Sequence, residues 1–100
     1  MREFSIPALA EVPASATLND AITDRAERTP DAVIMRRRQL SSQWADVTAR
    51  QFNDEVRALA RGLISAGIRP ADRVGLMART SYTWTLIDYA IWSVGAVTVP

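Results

Sequence analysis

The chain is 100 residues long, 48% hydrophobic and 23% charged, with 4 Gly and 5 Pro. This composition excludes disordered and fibrous classes and suits one small packed unit or part of a larger one. Its 12 basic residues, all arginine, stand against 11 acidic ones, and the net charge of +1 gives no global field to draw nucleic acid or an anionic membrane. Without Cys or His, disulfides, zinc sites of the usual ligands and His-based triads are excluded as well.

Residues 1–16 carry Arg2, Glu3 and Glu11 and no uninterrupted apolar core, so they do not read as a signal peptide, and the cytoplasm is the default expectation for location. Pro7 and Pro13 break any period, so this stretch reads as an extended arm, either lying against something else or loose. Residues 17–48 read as a helix and a hairpin. Leu18, Ile22 and Ala26 are four apart from Thr17 onward, and Pro30 stops the helix. Ala32-Val33-Ile34-Met35 opens a strand that runs into Arg36-Arg37-Arg38, and Trp44-Ala45-Asp46-Val47 is its hairpin partner. Successive strand residues face opposite ways, so the arginines are expected to form a solvated strand end, not one basic surface.

Residues 49–100 read as a long helix and a strand-helix-strand unit. Thr48 and Gln51 have capping-box spacing, Phe52, Val56, Leu59, Ala60 and Leu63 form one apolar stripe, and Gly67 ends the helix. Arg50, Asp54, Arg57 and Arg61 occupy the other side, a solvated face. Val74-Gly75-Leu76-Met77-Ala78 is a continuous apolar run, as in a parallel strand covered on both sides. A third helix over 81–94 leads to the strand Ala96-Val97-Thr98-Val99, with a right-handed crossover expected. That helix is apolar around its circumference with Asp88 its one charge, so it is expected to be buried on all sides, yet it is shorter than the ~20 apolar residues of a membrane span. Two or three strands cannot cover it. The sequence therefore reads as part of a larger domain whose remaining sheet and helices follow Pro100, with cover by an oligomer as the weaker alternative.

The order and spelling of these elements resemble the adenylate-forming (AMP-binding) superfamily, which includes acyl-CoA synthetases, luciferases and peptide-synthetase adenylation domains. Ala26-Glu27-Arg28-Thr29-Pro30-Asp31 matches the family's Ala-x-x-x-Pro-Asp opening. Trp44-Ala45-Asp46-Val47 stands in for Thr-Tyr-x-Glu-Leu, and residues 67–74 resemble Gly-x-x-x-Gly-Asp-x-Val with Ala71 in place of the second Gly. Gly95-Ala96-Val97-Thr98-Val99-Pro100 matches Gly-Ala-x-x-x-Pro. That spelling, Trp84 and the opening residues are similar to long-chain-fatty-acid CoA ligases of actinobacterial type.

The resemblance implies an α/β fold, the incomplete start of a doubly wound sheet with a β-hairpin, within the large N-terminal domain of such an enzyme. It also implies a parent reaction in which ATP, a fatty acid and CoA give acyl-CoA, AMP and diphosphate, with Mg²⁺ bound alongside ATP. The residues it implies for that chemistry are a Ser/Thr/Gly-rich loop with Lys, an acidic Mg²⁺ ligand, a ribose-binding Asp and a Lys on a mobile C-terminal domain. The chain has no lysine and none of these motifs, so it is expected to hold no catalytic or metal-ligating residue and to be inactive alone. Fatty acid, ATP and CoA would then be bound by the remainder.

Arg79, Thr80 and Ser81 are the one candidate cofactor-binding group, at the C-terminal end of a strand and the start of a helix, where α/β sheets place anionic ligands. Helix capping by Ser81 or Thr80 is the stronger reading of the hydroxyls. Trp44, Trp84 and Trp92 read as core anchors before parts of an acyl tunnel. Two other functions stay open: a small non-catalytic module that self-associates through the apolar helix and strand edge, and an adenylating enzyme for another carboxylic acid. No nucleic-acid partner and no transmembrane segment are expected, and a location peripheral to a membrane stays open.

Overall fold

The computed structural model describes residues 2–100. Residues 2–16 form no helix or strand and are exposed throughout, so the arm lies against nothing in this chain. Helix α1 spans Asp20–Arg28. It begins three residues later than the apolar spacing predicts, because the Asp20 carboxylate accepts from both the Thr17 N–H (2.8 Å) and the Thr17 hydroxyl (2.9 Å) and holds residues 17–20 as a turn. Leu18 consequently stands outside the helix and is exposed.

Strands β1 (Val33–Arg38) and β2 (Trp44–Thr48) pair antiparallel as a hairpin, with Arg36 opposite Asp46 and Arg38 opposite Trp44. The turn lacks Gly and is closed with Ser42 at φ 65°. Helix α2 (Ala49–Ser65) follows β2 directly through the expected capping box, with Gln51 N–H donating to the Thr48 hydroxyl and Thr48 N–H to the Gln51 side chain. Its next free N–H groups are also satisfied: Ala49 donates to the Ala32 carbonyl and Arg50 to that of Pro30. The hairpin and α2 are thereby tied into one corner.

At the other end of α2, Ile68 N–H donates to the Leu63 carbonyl and Gly67 N–H to that of Ile64, with Gly67 at φ 96°. This is a Schellman closure, and it brings Ile68 onto Leu63 at the edge of the core. The Asp72 carboxylate accepts from Arg69 N–H at 2.8 Å and shapes the approach to strand β3 (Arg73–Gly75). Helix α3 (Tyr82–Ser93) then leads to strand β4 (Val97–Val99), which is parallel to β3. Gly95 at φ 74° closes α3 by the same motif, Ala96 N–H donating to the Ile91 carbonyl and Gly95 N–H to that of Trp92.

The core has two clusters. Ala60, Leu76, Ile91, Val94 and Ala96 form one, and Val47, Phe52 and Val56 the other. Helix α3 serves both, giving Trp84, Ile87 and Ile91 to the first and Tyr82, Leu86 and Tyr89 to the second, which is why it is apolar on more than one face. Burial on all sides is not reached, however: only Asp88, Ala90 and Ile91 are buried. The apolar run of the third strand also falls short of two-sided cover. Its ladder ends with Leu76 N–H on the Val99 carbonyl, and Met77 is fully exposed. Trp84 and Trp92 are half-buried, but Trp44 is 67% exposed and anchors no core.

Candidate functional site

The free edge of β1 faces the start of α3 across a cleft of about 430 Å³. Arg36, Arg37 and Arg38 all border it, so the three arginines do share a surface. Alternation still holds within the strand: Arg36 Nε donates to Asp46 Oδ1 across the hairpin at 2.8 Å, while Arg37 turns to the helices and pairs with Glu55 at 3.2 Å. The side chains are long and the strand edge is unpaired, so groups leaving opposite faces meet around it.

Arg37 and Glu55 are held by a third group. The Tyr82 hydroxyl donates to Glu55 Oε2 at 2.7 Å, and the Arg37 guanidinium lies 5.1 Å from the centre of the Tyr82 ring. Burial, then the Glu55 hydrogen bond and charge, push the Tyr82 phenol well above the ordinary tyrosine value. Tyr82 is therefore a fixed proton donor at neutral pH, unsuited to be a base or nucleophile. Neither Tyr82 nor Glu55 was singled out in the sequence. Their link spans 27 positions, and no local spacing announces it.

Of the three candidate residues, Thr80 and Ser81 border the cleft and Arg79 does not. Arg79 is exposed and belongs to no ion pair among the described residues. Ser81 is the N-cap of α3, its hydroxyl accepting from Trp84 N–H at 3.2 Å, as the stronger sequence reading had it. The cleft can present guanidinium groups and hydroxyls to an anion, but it contains no charge relay or activated nucleophile.

Two further recesses have simpler roles. Asn19, Asn53, Arg57 and Ser93 border one of about 260 Å³ between α1, α2 and α3, where the Asn19 amide donates to the Ser93 hydroxyl and the Tyr89 carbonyl and ties α1 to α3. Met77, Trp84 and Val99 border an apolar one at the C-terminal ends of the parallel strands. Among the described residues, no group of three or more acidic, His or Cys side chains is placed to hold a metal ion. No helix there is long and apolar enough to cross a membrane.

A family model described as AMP-binding enzyme matches residues 22–100. The chain is 40% identical, over all 100 residues, to the long-chain-fatty-acid–CoA ligase FadD15 of Mycobacterium tuberculosis, and spans 16% of that protein's length. Among solved structures it resembles CmiS6 with a TM-score of 0.76 and 23% identity over 96% of the chain and 24% of that protein. It also resembles the fatty acyl-adenylate ligase from L. pneumophila, with a TM-score of 0.72 and 22% identity over 81% of the chain and 14% of that protein. At those identities the two structures establish the fold alone.

Proposed function

The chain belongs to the AMP-binding enzyme family, and from that premise we propose that it is the opening scaffold of a long-chain-fatty-acid CoA ligase. The parent reaction joins ATP, a fatty acid and CoA into acyl-CoA, AMP and diphosphate. The observation that carries this reading is the 40% identity, sustained over the whole chain, with a ligase of that name. A second adenylating enzyme of different acid specificity would share the fold, but not that level of likeness by default.

The chain's contribution is positional. Its two parallel strands and α3 start the sheet, and the β3–α3 connection carries Arg79, Thr80 and Ser81 to the end of the strand where α/β enzymes bind ligands. Ser81 caps the helix, and no catalytic role is assigned to the other two. ATP, CoA and Mg²⁺ are bound by residues outside this stretch. Alone, the 100 residues are inactive and self-associate through the uncovered face that includes Met77, Val97 and Val99. The parent works in the cytoplasm or at a membrane surface facing it.

The test is the reading frame beyond Pro100 and the activity of its product. A Ser/Thr/Gly-rich loop followed by Lys, and AMP release with palmitate, ATP and CoA, are expected. An immediate stop codon in the native gene, preference for an aryl or amino acid, or acyl-CoA formation by the 100 residues alone would each overturn the reading. Sedimentation velocity on the isolated chain is expected to show polydisperse association. A discrete dimer would favour a free-standing module instead.

A further inference from the structure

Asp88 is the one charged residue of α3 and is buried, with 8% of its surface accessible. Its Oδ1 has no hydrogen-bond partner among the described residues, and none of the ion pairs there includes it. The local uses of a carboxylate do not apply to it. Asp20 and Asp72 each accept from a nearby backbone N–H, whereas Asp88 lies in the middle of a 12-residue helix, where N–H groups are spent on helical bonds and the helix dipole gives no support. A second unpartnered group lies in the same layer. Thr98 is in register with Val74 on the strand face that carries Ala96, and that face packs against α3 through Ile91. The Thr98 hydroxyl is buried and also lacks a partner among the described residues.

Burial is the property that further polypeptide preserves, because added chain can cover an exposed group but does not return a packed one to water. An isolated carboxylate buried among apolar groups costs several times what a neutral hydrogen bond recovers, so buried carboxylates are paired with a cation or bound to a metal. A metal is ruled out by the absence, among the described residues, of any cluster of acidic, His or Cys side chains that could share it. A peptide N–H or a water would satisfy Oδ1 but leave the charge uncompensated. The chain spans 16% of the length of FadD15, so most of a parent of that size is available to supply the cation.

We propose that Asp88 receives an arginine or lysine side chain from the parent's polypeptide beyond Pro100, forming a buried ion pair that fixes how the rest of the domain packs on the layer between α3 and β4. The proposal rests on the reading of this chain as the opening scaffold of a longer enzyme. It gives the one charge on an otherwise apolar helix a role that packing alone does not: an ion pair of this kind sets register, because a misplaced neighbour leaves both charges buried and unpaired.

The full-length parent enzyme provides the test. Its crystal structure is expected to show an arginine or lysine nitrogen within about 4 Å of the Asp88 carboxylate. Water, a backbone N–H alone or no group at that place overturns the proposal. Asp88→Asn keeps the shape and one acceptor but removes the charge, and should lower the Tm of the full-length enzyme by about 5 °C or more. Asp88→Leu should lower it at least as far, because each change leaves a buried cation unpaired. An Asn variant that melts within about 1 °C of the unaltered enzyme would assign a neutral donor, and a Leu variant that melts higher would show the carboxyl group to be unpartnered; either result overturns the proposal. If the variants do not fold, the structure of the unaltered enzyme decides. Neither measurement needs substrate, so the two readings fail separately: an enzyme for another acid can hold the pair, and an active fatty-acid ligase can lack it.

Discussion

Ala71 has a φ of 69°, a conformation that costs an L-residue with a Cβ about 1–2 kcal/mol. It stands where related sequences are expected to have Gly, and the backbone retains the glycine geometry, held by Ala71 N–H on the Gly95 carbonyl at 2.8 Å. Ala71→Gly should relieve the strain at some cost in unfolded-chain entropy, for a net gain of about 0.5–1 kcal/mol. Thermal unfolding checks it, and an unchanged or lower Tm would show the site to be unstrained. Tyr82 makes a prediction in pH. Its folded phenol ionises above the unfolded value of about 10, so between the two the unfolded chain has lost a proton that the folded chain keeps. This stability is complete below pH 10 and declines as pH rises beyond it. Glu55→Gln removes the adjoining charge and should bring the Tyr82 midpoint down in an ultraviolet titration. A midpoint that does not fall would remove the Glu55 carboxylate as a cause.

Among the elements, α2 and α3 depend most visibly on their ends. Thr48→Ala removes the acceptor for Gln51 N–H and should cost about 1 kcal/mol. Gly95→Ala should cost more, because φ is 74° there and the new Cβ would lie 3.3 Å from Pro70 Cβ. Parallel urea titrations rank the two, and equal midpoints would contradict the crowding at Gly95. The ends read correctly in the sequence are those whose caps are local: Thr48 with Gln51, Gly67 and Ser81 all act within a few positions. The elements that were misread depend on distant groups. Helix α1 starts late through a competing turn at Asp20, and the third strand lacks its second layer of cover. The arginine cleft was hidden for the same reason, since it arises from a strand edge meeting Glu55 and Tyr82 on two later helices. Trp44 misled because size suggests burial, while a hairpin end offers nothing to be buried against.

At the scale of the whole molecule, the question is whether two clusters make one cooperative unit. Phe52 is buried at the centre of the second, edge-on to Tyr82 at 6.0 Å and to Tyr89 at 5.5 Å. Ile91 is buried in the first, on the same helix α3, about half a turn beyond Tyr89 and about two and a half turns beyond Tyr82. Both clusters draw on α2 and α3 together, so loosening either helix exposes both. Phe52→Ala should cost about 3–5 kcal/mol, most of what a chain of this size has to spare. The loss should register equally in helix content and in the environment of Trp84, which packs against the other cluster. Fluorescence and circular dichroism should therefore melt together at one lowered midpoint, as two-state unfolding requires. If Trp84 keeps its parental midpoint while the helices around Phe52 are lost, the strand-helix-strand unit folds independently of the hairpin corner. The scaffold would then be two pieces joined by α2, and a parent enzyme could move one against the other.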